Sequence, residues 1–225
     1  MSSPSDDHSA DQGRPWETQR RGMLLLMSSP SGAGKTSLSR RLVADHSDLI
    51  LSISATTRAP RPGEEEGREY FFKTREAFER MIAAGELLEW AEVHNQFYGT
   101  PKAPVMAALE QGKDVLFDID WQGAQQVASQ APDDSVRVFV LPPSWADLSR
   151  RLHARAQDSE EIINLRLERG KGEILHWTEY DYVIVNKSFD RAYADLGHIY
   201  RAERMKPGRN PWLPDFVKSL GEEGV

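Results

Sequence analysis

A glycine-rich stretch near the amino terminus contains the residues best suited to bind an anion. Residues 28–36 read Ser-Ser-Pro-Ser-Gly-Ala-Gly-Lys-Thr and directly follow an apolar run at 23–27. Glycines allow several backbone N–H groups to converge on phosphate oxygens, while lysine adds a mobile positive charge and threonine offers a hydroxyl to Mg²⁺. We therefore predict a phosphate-binding loop formed by Ser31, Gly32, Ala33, Gly34, Lys35, Thr36 and Ser37.

The residues around the loop favour this interpretation over a chance glycine-rich turn. Leu38, Leu42 and Val43 recur at helical spacing, so a helix is expected to begin directly after the loop. The positive end of its dipole would point at the same anion. Ser29 is the one departure, because loops of this kind commonly begin with glycine at that position.

Composition narrows the possible classes of protein. The chain has 225 residues, a net charge of −7 and no cysteine. Disulfides, thiolate metal sites and cysteine nucleophiles are thus excluded, as is typical of a reducing cytoplasm. The acidic balance disfavours broad nucleic-acid binding, and no apolar run approaches the ~20 residues of a membrane span. We expect a cytoplasmic protein that binds small molecules, not nucleic acid or a membrane, of undetermined oligomeric state.

Apolar runs alternate with helical patterns through the middle of the chain. The runs are continuous, which is typical of strands buried on both faces of a parallel sheet. A helical pattern follows each run, so we predict a doubly wound α/β fold in which helices flank a parallel sheet. The predicted strands are Val115–Phe117, Val136–Leu141 and Tyr182–Val185, and the predicted helices span residues 123–129, 145–152 and 190–201.

The two ends of the chain differ from this pattern. Residues 1–22 are polar and aperiodic, which predicts a disordered tail. Residues 206–225 contain three prolines, at 207, 211 and 214, and we predict an irregular arm there. Its apolar residues would pack against the body of the protein, namely Trp212, Leu213, Phe216 and Val217.

Two charge-rich segments carry a family resemblance. In order, the chain shows Thr-Thr-Arg-Ala-Pro-Arg-Pro-Gly-Glu at 56–64, Tyr-Phe-Phe at 70–72, Glu-Trp-Ala at 89–91 and Tyr-Gly-Thr at 98–100. Further on it shows Asp-Ile-Asp-Trp-Gln-Gly at 118–123, Pro-Pro-Ser at 142–144 and Asp-Tyr-Val-Ile-Val-Asn at 181–186. With the glycine-rich loop, this set resembles the guanylate kinases from residue 23 to about residue 200.

The resemblance implies a fold and a reaction. The fold would be a P-loop NTPase core over 23–53, 103–149 and 172–205, with an inserted GMP-binding domain at 54–102 and a helical lid at 150–171. The reaction would be reversible phosphoryl transfer from ATP to GMP or dGMP, assisted by Mg²⁺. A non-catalytic interaction module of similar sequence and another nucleoside monophosphate kinase are the alternatives; the intact Lys35, Thr36 and Arg155 favour an enzyme.

The inserted segment contains candidates for binding the acceptor phosphate. Arg58 and Arg61 could donate to a phosphate monoester, and Tyr70 and Tyr98 could add hydroxyl donors. Taken singly, such arginines are more often surface charges and such tyrosines are more often packing residues. The resemblance places all four on the GMP phosphate.

Glu89 is the candidate for recognising the base. Guanine presents two donors on one edge, N1–H and the N2 amine, and a carboxylate can accept from both. By sequence alone, Glu89 between Leu88 and Trp90 fits an exposed surface charge better. The resemblance reverses that preference and implies that Ser54 and Thr100 complete the base contacts.

Asp118 and Asp120 follow the strand predicted at 115–117, where ligands of open α/β sheets bind. One of them could hold Mg²⁺ together with Thr36, and the other could reach the acceptor nucleotide. If Asp118 is the acid that holds Mg²⁺, it would do so through a water molecule. The residues do not decide which acid has which role. Capping of the next helix is the alternative for Asp120.

The predicted lid is rich in arginine. Asp158 and Glu161 have the spacing of a capping box, which predicts a helix that carries Arg166. The resemblance implies that three arginines act with Lys35 in catalysis, namely Arg151, Arg155 and Arg166. Arg150 and Arg169 are equally compatible with surface salt bridges.

Asn186 ends the last predicted strand, and it could bind the adenine edge of ATP or form a turn. Two positions depart from the family pattern: Ala156, in the turn after Arg155, stands where glycine is common, and Lys187, after Asn186, stands where an acid is common.

Overall fold

A computed structural model of the protein describes residues 20–154 and 159–222. In chain order the elements are β1 (Leu24–Ser28), α1 (Lys35–Asp45), β2 (Leu49–Leu51), β3 (Ser54–Thr56), β4 (Tyr70–Phe72), α2 (Arg75–Ala83), β5 (Leu87–Val93), β6 (Gln96–Pro101), α3 (Lys102–Glu110), β7 (Asp114–Asp118), α4 (Trp121–Gln130), β8 (Ser135–Leu141), α5 (Trp145–Ala154), α6 (Glu160–Glu173), β9 (Tyr182–Val185), α7 (Phe189–Arg204) and α8 (Leu213–Glu222). Short 3₁₀ helices span Ile174–Glu179 and Pro207–Arg209.

The larger sheet has five parallel strands in the order β2-β7-β1-β8-β9. Successive side chains of the central strand point to opposite faces. Leu25 and Met27 pack with α1 and α7, whereas Leu24 and Leu26 pack with α3 and α4. Helices therefore cover both faces, and the predicted α/β fold is confirmed.

One strand differs from its prediction. The run Tyr182–Val185 was expected to be buried on both faces, but β9 is an edge strand of the sheet. Val183 and Val185 are 39% and 55% exposed, and only Ile184 is fully inside. The continuous apolar run thus predicted the strand correctly, but its prediction that both faces of the strand are buried was wrong.

A smaller sheet lies in the segment between β2 and α3, with strand order β4-β3-β6-β5. It has a hydrophobic cluster of its own, built around Ala55, Phe78 and Phe97, and the rings of Phe78 and Phe97 stack at 5.3 Å. Gln126 of α4 joins it to the core, because its side chain accepts from the N–H of Trp90 at 3.0 Å and donates to the carbonyl of Trp90 at 3.2 Å. Side chains on β5 are thereby held next to the larger sheet.

Both ends of the described chain correct the sequence predictions. The predicted disordered tail extends too far, since Arg20 and Arg21 form ion pairs with Asp114 and Asp134 and Gly22 is buried. Residues 1–19 lie outside the described part. The carboxyl-terminal arm is helical, not irregular, with Trp212, Leu213 and Phe216 half-buried and Val217 61% exposed.

The helices of the predicted lid are α5 and α6. The residues that join them, 155–158, lie outside the described part, and so does the predicted role of Arg155. Ser159 occupies the N-cap position of α6, so the capping box predicted from Asp158 and Glu161 has the wrong register. Within the described ranges, no helix is both long enough and apolar enough to cross a bilayer.

Candidate active site

The glycine-rich loop connects β1 to α1 at the carboxyl end of the central strand. Gly32 and Gly34 have φ values of 93° and 102°, which residues with a Cβ rarely adopt. The loop surrounds a cavity of about 260 Å³, and α1 begins directly after it at Lys35. The cavity is lined by Ser29, Ser31, Gly32, Gly34, Lys35, Thr36, Asp118 and Glu173. A helix N-terminus beside a curled backbone is a ready anion site.

Lys35 reaches the end of the neighbouring strand. Its ammonium lies 2.5 Å from Oδ1 of Asp118 and donates to the carbonyl of Ile119 at 2.8 Å. Pairing of β1 with β7 brings the two sides together, because Met27 stands opposite Asp118. Lys35 is thus neutralised by a carboxylate that a phosphate could replace.

Three side chains from later in the chain form hydrogen bonds to the loop. The amide nitrogen of Asn186 donates to the carbonyl of Ala33 at 2.8 Å. Arg151 donates to the carbonyls of Asn186 at 2.8 Å and of Ala33 at 3.3 Å, and Arg166 donates to the hydroxyl of Ser31 at 3.3 Å. Both lid helices therefore contact the loop.

Glu89 is buried, so the interpretation as a surface charge is wrong. The residue is 9% exposed on β5, and its Oε1 accepts from the hydroxyl of Thr100 at 2.6 Å. Burial raises the pKa of its carboxyl group, and the negative charge of Asp120 adds to the effect. A buried carboxylate with one neutral donor beside it retains acceptor capacity for a ligand.

The two acids after β7 face different partners. Asp118 pairs with Lys35 beside the loop. Asp120 is the N-cap of α4 and accepts from the N–H of Gly123 at 2.9 Å, so the capping alternative holds. Its charge also raises the pKa of Glu89. Asp118 therefore belongs to the loop side, whereas Asp120 caps α4 and its charge reaches Glu89 on the small sheet.

Three of the four candidates for the acceptor phosphate lie together. The guanidinium of Arg58 lies 5.3 Å from the ring centre of Tyr70, whose ring centre is 6.2 Å from that of Tyr98. Arg58 donates to both carboxylate oxygens of Glu64 at 2.9 Å, and this pair, with a smaller contribution from Tyr98, raises the pKa of Arg58. The side chain of Arg61 is exposed.

The remaining predicted residues occupy less decisive places. Ser54 opens β3 and is half-buried, and Thr36 and Ser37 are in the first turn of α1. Arg150 is exposed and pairs with Asp147, as the surface interpretation expected.

The sequence did not lead us to predict Glu173 of α6 as a site residue. It lines the loop cavity, where burial and the charge of Asp120 raise its pKa while Lys35 opposes the rise. A usable signal was present, because Glu173 follows Arg166 by seven residues, about two helical turns, and shares its face.

The comparisons with known proteins agree with this geometry. Residues 21–203 match the family model described as guanylate kinase. The chain is 61% identical over 205 residues to the guanylate kinase of Caulobacter vibrioides, covering 91% of this chain and 96% of that protein. It is 58% identical over 205 residues to that of Maricaulis maris, covering 91% and 94%.

A solved structure gives the same result. The crystal structure of guanylate kinase from Anaplasma phagocytophilum superposes with a TM-score of 0.69 at 36% identity, covering 90% of this chain and 96% of that one. The resemblance found in the sequence is confirmed. The chain belongs to the guanylate kinase family.

Proposed function

We propose that this protein transfers a phosphoryl group reversibly between ATP and GMP or dGMP, in purine nucleotide recycling. The observation that carries the proposal is the buried carboxylate of Glu89, hydrogen-bonded to Thr100 on the small sheet. The phosphate loop alone would fit many nucleotide enzymes. A buried carboxylate on the small sheet favours an acceptor that brings two donors.

The donor nucleotide binds at the loop. Backbone N–H groups and Lys35 would hold the phosphates of ATP, and Asn186 would lie beside its base. Thr36 and Asp118 line the same cavity, and their hydroxyl and carboxylate oxygens are ligands that Mg²⁺ prefers. These residues fit a Mg²⁺ ion carried by ATP, with Asp118 acting through water; when bound, the ion offsets phosphate charge.

The acceptor binds at the small sheet. Arg58, Arg61, Tyr70 and Tyr98 would hold its phosphate, and Glu89 would accept from guanine with Ser54, Thr100 and Asp120 nearby. Adenine has no N1–H and would leave the buried carboxylate unpaired, which is a strong form of discrimination.

Transfer needs positive charge around the moving phosphoryl group more than it needs a base. Lys35 and the lid arginines Arg151, Arg155 and Arg166 would supply it. Arg151 and Arg166 already lie within hydrogen-bond distance of the loop. A sequence without cysteine fits the reducing cytoplasm that we propose as the location.

A coupled ADP-release assay tests this proposal. The purified full-length chain is given Mg²⁺ and ATP with GMP, dGMP, AMP, CMP or UMP in turn. We expect turnover with GMP and dGMP only. Preference for another monophosphate would show a different kinase, and no turnover with any of them would show a non-catalytic module.

A further inference from the structure

The peptide between Ala33 and Gly34 is held by a side chain that is itself fixed. Asn186 is 4% exposed, and its Nδ2 donates to the carbonyl of Ala33 at 2.8 Å. The backbone N–H of Asn186 donates to Leu141 at 2.8 Å, and Arg151 donates to its carbonyl at 2.8 Å. The donor to the loop is therefore anchored to the sheet and to α5, and Arg151 of α5 also donates to the carbonyl of Ala33 at 3.3 Å.

The geometry of the peptide gives this contact a consequence. In a trans peptide the C=O and the N–H point in opposite directions. Because the carbonyl of Ala33 faces Asn186, the N–H of Gly34 points away from Asn186, and Gly34 itself lines the loop cavity. A flipped peptide would present a carbonyl oxygen to phosphate, which is unfavourable, and an N–H to Nδ2 of Asn186, so the present hydrogen bond would be lost unless the amide also turned its oxygen to the loop. The hydrogen bond from Asn186 therefore favours the present orientation of the peptide.

The packing around Gly34 is equally tight. A Cβ at this position would lie 2.3 Å from Nδ2 of Asn186, and φ of Gly34 is +102°. Glycine is thus required twice, once by the backbone conformation and once by the approach of the amide. Asn186 and the loop form one packed unit.

We propose that Asn186 is a positioning residue for the donor phosphates and not a reader of the adenine edge. Its amide fixes the Ala33–Gly34 peptide so that the N–H of Gly34 is presented to phosphate. The inference rests on the proposed function, because it takes these phosphates to be those of ATP. The two roles differ in the ligands they affect: positioning acts on any polyphosphate, whereas a base contact acts only on the nucleotide.

The test compares ATP with inorganic tripolyphosphate, which has no base. Titration calorimetry on the full-length chain gives the Kd of each ligand for the wild type and for Asn186→Ala. We expect both Kd values to rise about tenfold and their ratio to stay constant, the upper end for one neutral hydrogen bond. The Kd of GMP should not change. Asn186→Leu should give the same pattern, because its larger side chain keeps water from replacing the amide.

Asn210→Ala is the matched control. Its amide nitrogen also donates to backbone carbonyls, those of Arg204 at 3.1 Å and Lys206 at 2.9 Å, after α7. Its loss should leave the Kd values of ATP and tripolyphosphate unchanged.

Three results would overturn the inference. ATP weakening alone would make Asn186 a base reader. Unchanged binding of both ligands would leave the contact without a role, and an equal loss of GMP binding would show general damage to the fold. Wild-type turnover of GMP reports on the proposed function separately. If that turnover were missing, the tripolyphosphate comparison would still decide the role of Asn186.

Discussion

The two halves of the nucleotide site are built in opposite ways. The glycine-rich loop lies between β1 and α1, and Asn186 after β9, Arg151 of α5 and Arg166 of α6 contact it. The proposed acceptor half is on the small sheet, where Arg58 and Arg61 border solvent and Arg58 is paired with Glu64.

Under the proposed function, the two halves would differ in how they select a ligand. The loop would bind mainly through backbone N–H groups, whose directions depend on glycine dihedrals and on tertiary contacts. The acceptor half would bind through side chains, so its preference would depend on single residues such as Glu89. Changes to the loop should therefore affect turnover with every acceptor, and changes to the small sheet should affect the choice of acceptor.

The largest effect is expected on the loop side. Lys35→Met removes the charge that stabilises the transferring phosphoryl group, and kcat should fall by about 10³-fold or more. Steady-state kinetics checks this, with GMP titrated separately to show unchanged acceptor binding. Lys218→Met, which alters an exposed lysine of α8, is the control. Near-normal turnover of Lys35→Met would contradict the assignment of the loop to the donor site.

Glu89→Gln should produce the next largest effect, on specificity. The amide still accepts from Thr100 but turns an NH₂ group toward a guanine donor. The transition state with GMP should therefore lose ~2–4 kcal/mol of stabilisation, which lowers kcat/KM for GMP. AMP should lose nothing, and the GMP-to-AMP ratio should shrink.

Competitive measurements on both nucleotides give this ratio. Glu92→Gln is the matched control, because Glu92 lies on the same strand with an exposed side chain. An unchanged ratio in Glu89→Gln would mean that Glu89 does not read the base.

The contacts of the amino-terminal residues should have a smaller effect, confined to stability. Asp114, at the start of β7, is fully buried and accepts from Arg20, the N–H of Met23 and the hydroxyl of Tyr200. Arg20→Ala should lower the free energy of unfolding by about 1–3 kcal/mol, because it removes one partner of a buried acid. Urea denaturation measures this loss.

Deletion of residues 1–19 is the control, and their polar composition predicts no loss. Equal stability of Arg20→Ala and the wild type would contradict the structure. The expected loss of stability would mean that the two ends of β7 have separate roles, since Asp114 would support the fold while Asp118 pairs with Lys35.

The pH dependence gives the smallest effect and separates the halves again. Burial raises the pKa of Glu89, so its ionised form, which the proposed contact with GMP needs, is lost at a higher pH than for an ordinary glutamate. As pH falls through the raised pKa, kcat/KM for GMP should fall. The folded state binds this proton more tightly than the unfolded state, so the contribution of Glu89 to stability decreases as pH rises through the same window.

Profiles of kcat/KM for GMP in the wild type and in Glu89→Gln check the sign. Like other phosphate monoesters, GMP has a second phosphate pKa of about 6, so its own phosphate also titrates. The difference between the two profiles therefore isolates Glu89. Identical acid limbs would contradict the assignment.

The sequence predicted the two halves with unequal success for a physical reason. The loop is a local signal, because strand, glycines, lysine and helix follow one another within 23–43. Glu89 looks like a surface charge, and its burial arises from pairing with Thr100 on β6 and from packing of β5 beside α4. No local pattern could reveal these contacts.

Long-range partners also explain the other corrections. The amide of Asn186 meets Ala33 across 153 residues, and Arg20 meets Asp114 across 94. Neither the polar amino-terminal sequence nor an asparagine at the end of a strand indicates such distant partners. The edge position of β9 likewise depends on the order of all five strands.

The most direct test of the account is a binding matrix for the two halves. Titration calorimetry would give the Kd of ATP and of GMP for the wild type, Lys35→Met and Arg58→Met. We predict that Lys35→Met weakens ATP alone, and that Arg58→Met weakens GMP alone by about tenfold or more, as for a lost charged hydrogen bond. Loss of ATP affinity in Arg58→Met with GMP affinity intact would contradict the account.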